Sequence, residues 1–239
     1  MIIDEYLRKH DFAVFSPKAV LFDMDGVLYD SMKNHSESWH KAMAHYGLNM
    51  SRDDAYMYEG MRGVETIKLL ARQQWGKELS EEEAQEMYAE KSRCFNNCNP
   101  AGVMNGVKEL MRKIKACGLK IVVVTGSGQR TLLDKLEKDF EGLVTKELMI
   151  TAFDVKHGKP NPEPYIRGME KADIKAWEGI VVENAPLGVR AAVAAGLFTV
   201  AVNTGPLPDS KLLDEGADMI YPDMPTFTDA WDKLFKLKP

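Results

Sequence analysis

Residues 18–31 read KAVLFDMDGVLYDS, a short apolar run that closes on two carboxylates, Asp23 and Asp25, and a glycine. Four consecutive apolar residues between polar ones are the pattern of a strand buried on both faces, as in a parallel sheet. The pattern recurs at 119–125 (LKIVVVT), 148–152 (LMITA), 179–183 (GIVVE) and 198–202 (FTVAV). Helical spacing separates these runs: Val107, Leu110, Met111 and Ile114 share a face ahead of Gly118, and Pro186 and Gly196 bracket an alanine-rich segment. The alternation predicts an α/β chain whose core is a Rossmann-like, doubly wound parallel sheet with helices on both faces.

Residues 33–103 break the alternation, with four helical stretches and no buried strand. Trp39, Ala42, Met43 and Tyr46 fall on one face of the first, and Val64, Ile67, Ala71 and Trp75 on one face of another. Ser80 and Glu83 form a capping box ahead of a third, whose apolar side is Ala84, Met87, Tyr88, the stem of Lys91 and Phe95. The expected organisation is a short tail or packing arm over 1–17, a core over 18–32 and 104–239, and an inserted helical domain over 33–103.

Composition narrows the function classes. Thirty-one Lys plus Arg against 36 Asp plus Glu give a net charge of −5, and there is no basic run, so nucleic acid is not an expected partner. No apolar run reaches the roughly 18 residues of a membrane span, and the first dozen residues alternate charges where a secretory leader would be apolar. Three cysteines, Cys94, Cys98 and Cys117, make no disulfide framework and suggest a reduced, cytoplasmic protein. Cys94 and Cys98 would share a helix face, yet no further Cys or His lies near them in sequence to complete a zinc site.

In a doubly wound sheet, ligands bind beyond the carboxyl ends of the strands. Those ends are polar here: Asp23-Met24-Asp25-Gly26, Thr125-Gly126-Ser127-Gly128 and Glu183-Asn184, with Gly158-Lys159-Pro160 after the third strand. Together, DMDGVLYDS, VTGS, KHGKPNPEPY and VVENAPLGVRAAVAAG resemble the motif set of the haloacid dehalogenase (HAD) superfamily, in order and spacing, over roughly residues 18–222. The insertion sits where that superfamily carries a helical cap. The β-phosphoglucomutase-like branch is the most similar, and within it the HAD-type inorganic pyrophosphatases.

The resemblance implies a Mg²⁺-dependent phosphohydrolase acting on a small phosphorylated substrate, pyrophosphate above all, with sugar-phosphate mutase as the alternative. Asp23 would be the nucleophile, since a carboxylate can attack phosphorus and form an acyl phosphate that water then cleaves. Asp25 would be the general acid and then the base. Thr125, Gly126 and Ser127 would cradle the phosphoryl oxygens, and Lys159 would balance the charge of Asp23 and the phosphate. The metal set would be Asp23, the Asp25 carbonyl and Asn184, where many relatives have Asp. Glu183, through water, and the cap residue Glu59 would replace the missing charge. Arg62 and His35 complete the substrate-binding set, His35 by positioning Asp25 in the pattern DxxxxH that begins at Asp30. A receiver domain shares an Asp, a Thr or Ser and a Lys, but it carries its acceptor after the third strand and has no insertion. The expected state is a monomer or weak oligomer.

Overall fold

The computed structural model describes residues 2–127 and 130–235. Gly128, at the end of the expected phosphate loop, lies outside the described residues. In chain order the elements are α1 (Ile2–His10), β1 (Ala19–Phe22), α2 (Met32–His45), α3 (Arg52–Met57), α4 (Gly63–Trp75) and α5 (Glu81–Asn96). Then follow α6 (Val107–Ala116), β2 (Lys120–Val124), α7 (Arg130–Asp139), β3 (Met149–Ile150), α8 (Glu163–Ala172) and β4 (Gly179–Glu183). The chain continues with α9 (Pro186–Ala194), β5 (Phe198–Val202), α10 (Ser210–Leu213), β6 (Met219–Tyr221) and α11 (Met224–Leu234).

The six strands form one sheet in the order β3-β2-β1-β4-β5-β6, parallel throughout. Side chains of a strand point alternately to the two faces, and β1 shows it: Val20 and Phe22 pack in one apolar layer, Ala19 and Leu21 in the other. Val107, Leu110 and Ile114 of α6 and Trp231 of α11 cover the first layer, while Tyr165 of α8 and Ala191 of α9 cover the second. The expected doubly wound sheet is thus present, with a sixth strand, β6, that no apolar run announces; its three residues are only half-buried at the edge. The third strand is shorter than expected because Asp154 Oδ2 accepts both the Thr151 N–H at 2.9 Å and its hydroxyl at 2.7 Å, turning the chain out of the ladder.

Helices α2 to α5 hold an apolar cluster of their own around Trp39, Met43, Ile67, Leu70 and Met87. The Ser80–Glu83 capping box opens α5 as expected, and a second, Ser51 with Asp54, opens α3. Trp75 departs from its expected face; as the last residue of α4, before the left-handed Gly76, it remains 43% exposed. Residues 2–15 form an arm packed on the core. Tyr6 of α1 is fully buried, its hydroxyl donates to the Gly196 carbonyl at 2.8 Å, and its ring meets Phe12, Phe15 and Phe198 edge-on. Among the described residues no helix is long and apolar enough to cross a membrane.

Candidate active site

The register of the sheet assembles the site. Phe22 pairs with Val123 of β2 and Val182 of β4, so the residues that follow them, Asp23, Val124-Thr125 and Glu183-Asn184, emerge at one level. Asp23, Thr125, Lys159, Glu183 and Asn184 are all buried. Lys159 reaches them from the segment between β3 and α8. Its ammonium donates to Asp23 Oδ1 at 2.5 Å, Glu183 Oε1 at 2.6 Å and the Val124 carbonyl at 3.2 Å. Thr125 Oγ1 accepts the Ser127 N–H at 3.0 Å, shaping the turn after β2.

Asp25 lies beyond the strand end, in the turn that Gly26 makes possible. Gly26 has φ +85°, and a Cβ there would lie 2.1 Å from Asn184 Nδ2, so side chains are excluded on both counts. Ser31 Oγ donates to Asp25 Oδ1 at 2.6 Å, and His35 Nε2 lies 3.1 Å from the same oxygen. His35 Nδ1 lies 2.8 Å from the ammonium of Lys91, which is itself buried over the rings of Trp39 and Phe95. A lysine donating to Nδ1 leaves the ring proton on Nε2, directed at Asp25. Burial works to raise the Asp25 carboxyl, but His35, Ser31 and Lys91 outweigh it and hold the group below the usual carboxylate range.

Above the core, the loop before α4 brings Glu59 into a cleft of about 40 Å³ that it shares with Asp25, His35, Tyr88, Lys91, Gly126 and Ser127. The contact between the two parts is made through glycines. A Cβ on Gly60, whose φ is +88°, would lie 2.8 Å from Lys159 Cδ, and one on Gly126 would lie 3.3 Å from the Gly60 carbonyl oxygen. Burial pushes the Glu59 carboxyl well up, and the charges of Asp25 and Asp23 add to that against Lys91 and Lys159. Burial also pushes Asp23 up, to about 8, with Glu183 and Asp25 reinforcing and Lys159 opposing. For Lys159 burial works downward, yet Asp23 and Glu183 hold the ammonium above its ordinary value.

Among the described side chains, the carboxyl groups of Asp23, Asp25, Glu59 and Glu183 are met by the ammoniums of Lys91 and Lys159 and by the His35 ring. Two buried oxygens have no hydrogen-bond partner among the described residues, Asp23 Oδ2 and Asn184 Oδ1. Hard, orphaned oxygens in an anionic cleft are the donor set that Mg²⁺ takes, so these residues fit the ion that the sequence implies. No group of three or more His, Cys, Asp or Glu side chains among the described residues is arranged to hold a metal, so the fit rests on those two oxygens.

Two expected site residues have other positions. Glu183 was read as a source of charge for the metal, but both its oxygens are taken. Oε1 accepts from Lys159 and from the Tyr165 hydroxyl at 2.7 Å, and Oε2 from the backbone N–H groups of Asn184 at 2.9 Å and Ala185 at 3.1 Å. Arg62, read as a substrate-binding residue, is absent from the lining of the 40 Å³ cavity. Its guanidinium donates to the Lys156 carbonyl at 3.0 Å, and its stem occupies space left by Gly158, where a Cβ would lie 2.7 Å from Arg62 Cγ. It lines instead a neighbouring cavity of about 240 Å³ with Gln85 and Phe153. Conversely, Lys91 and Tyr165 reach the site unannounced. The available signal was a lysine within the apolar stripe of α5, and a tyrosine closing KHGKPNPEPY.

Comparison with known proteins shows the family. A family model described as haloacid dehalogenase-like hydrolase matches residues 20–202. A solved structure described as "Putative beta-phosphoglucomutase from Bacteroides vulgatus" superposes with a TM-score of 0.95 at 51% identity, covering 100% of this chain and 97% of that one. A "Phosphorylated carbohydrates phosphatase" of Thermotoga maritima is 30% identical over 205 residues, covering 84% of this chain and 92% of that protein. A "Putative pyrophosphatase PpaX" of Caldanaerobacter subterraneus is 26% identical over 207 residues, covering 86% and 90%.

Proposed function

The chain belongs to the haloacid dehalogenase-like hydrolases, in the β-phosphoglucomutase-like branch with a helical cap, and from that premise we propose a phosphohydrolase that transfers the phosphoryl group of a small phosphate compound to Asp23 and then to water. We further propose that residues 33–103 act as a cap domain over the core, and that Mg²⁺ is held by Asp23, Asn184 and the Asp25 carbonyl. Bound there, Mg²⁺ would neutralise the charge that two anions bring together. In this reading Lys159 orients Asp23 through Oδ1, and the Thr125–Ser127 turn offers N–H groups to the phosphoryl oxygens. Ser31 and His35, both bound to Asp25 Oδ1, hold that carboxyl ready to take a proton from water. Closure of the cap over the substrate would keep bulk water from the acyl phosphate until then.

Pyrophosphate is the substrate we favour, and the narrow cleft under Glu59 carries the reading. Glu59, Tyr88 and Lys91 of the inserted domain reach into a cleft whose space for water-sized groups is only about 40 Å³, which suits a small inorganic group better than a hexose. The mutase reading has the better support from relatives, because the 51%-identical structure carries that description. One comparison separates them: phosphate release from pyrophosphate against a panel of sugar phosphates, with and without Mg²⁺, alongside conversion of β-glucose 1-phosphate. Isomerisation of the sugar phosphate with little phosphate release would establish the mutase.

Two variants sharpen this. Glu59→Ala is expected to lose pyrophosphate hydrolysis by roughly tenfold or more relative to bulkier organic phosphates, since it removes a carboxylate from the cavity and adds room. Steady-state kcat/KM on both classes checks it, and equal losses would count against a substrate role for Glu59. Asp25→Asn should slow turnover about 10²- to 10³-fold. The loss should be greater for alkyl than for activated aryl phosphates, because only the former need protonation; equal losses would argue against the acid role.

A further inference from the structure

Lys159 stands between two buried carboxylates, and how firmly it faces Asp23 depends on how well the other one is satisfied. Glu183 is saturated. Its Oε2 takes two backbone N–H groups, and its Oε1 shares Lys159 with the Tyr165 hydroxyl at 2.7 Å. It also cannot turn away, because α9 closes on it: a Cβ on Gly188 would lie 1.9 Å from Oε1. Tyr165 is fully buried among the apolar residues of α8 and the sheet, and the Lys159 ammonium lies 5.1 Å from the centre of its ring.

We propose that Tyr165 is a positioning residue for phosphoryl transfer: its hydroxyl disperses the charge of Glu183, so that the Lys159 ammonium remains directed at Asp23. The residue acts on the reaction only through Glu183 and Lys159. Without the hydroxyl, Glu183 Oε1 has the lysine as its sole donor and draws it away from the nucleophile. The inference rests on the reading of Asp23 as nucleophile.

Tyr165→Phe keeps the ring, its packing and its contact with the ammonium, and removes only the donated hydrogen bond. With acetyl phosphate as a small, activated probe and Mg²⁺ present, this variant should show kcat lowered roughly tenfold, with KM changed less than about twofold. In a Glu183→Gln background, where no charge remains to disperse, the same substitution should cost less than about twofold. A merely structural tyrosine would lower the melting temperature and leave kcat unmoved, or cost the same factor in both backgrounds; either result overturns the proposal. Should Tyr165→Phe alone fail to fold, the Glu183→Gln pair still decides, because a tenfold loss there contradicts charge dispersal. Failure of the underlying reading would appear separately, as wild-type turnover of acetyl phosphate with no acyl phosphate trapped on Asp23.

Discussion

Asp23→Asn should lose turnover by roughly four orders of magnitude or more while remaining folded, because the amide is a far poorer nucleophile and hardly alters the shape of the strand end. Its partners favour retention of the fold. Burial and the neighbouring carboxylates already push the Asp23 carboxyl up to about 8, with Lys159 opposing, so the surroundings tolerate a neutral side chain of the same size. The variant should therefore unfold cooperatively at a temperature near that of the wild type, while phosphate release falls to background. Single-turnover assays with pyrophosphate and with acetyl phosphate check the rate, and a thermal melt checks the fold. Retention of more than a few per cent of activity would mean that phosphorus is attacked by another group.

Removal of divalent cations should be nearly as severe. The cluster of Asp23, Asp25, Glu59 and Glu183 disfavours an incoming phosphate anion unless a cation sits among them. Excess EDTA is expected to lower activity at least about a thousandfold, matching several kcal/mol of lost transition-state stabilisation, and Mg²⁺ should restore it. Binding can be read without turnover. Saturation at about 100 times the dissociation constant adds about 2.7 kcal/mol to stability, so Mg²⁺ should raise the melting temperature of the wild type. The rise should shrink in Asn184→Ala, which removes one of the two orphaned oxygens. Full activity in EDTA, or an equal thermal shift in Asn184→Ala, would contradict the assigned donor set.

Features carried by contiguous residues were legible from the chain. The apolar run that closes on Asp23 and Asp25 is local, and so are the capping box at Ser80 and the helical spacing of Val107, Leu110, Met111 and Ile114. Each constrains its own backbone, and the strand-end rule then places the polar termini together. The strand β6 was not legible, because its three half-buried residues owe their pairing to β5 and carry little pattern of their own.

Lys91 and Tyr165 escaped for a different reason. Both are long side chains whose stems or rings satisfy an apolar stripe, so periodicity accounts for them fully, and only tertiary packing shows where the ammonium and hydroxyl end. Glu183 shows the reverse. A carboxylate next to Asn184 invites a metal role in sequence, whereas in the fold the backbone turn into α9, Tyr165 and Lys159 consume its oxygens first. The displacement of Arg62 turns on a single glycine, Gly158, which opens a berth for its stem on the core and draws it away from the cavity.

The central claim is a covalent phosphoryl group on Asp23, and acid-quench trapping tests it most directly. Wild-type protein is mixed with radiolabelled acetyl phosphate and Mg²⁺, quenched in acid within the first turnover, digested and mapped. The account predicts label on the peptide containing Asp23, stable in acid, released by hydroxylamine as an acyl phosphate should be, and absent from Asp23→Asn. Product formation in the wild type with no label on that peptide, or with label on another residue, would contradict it.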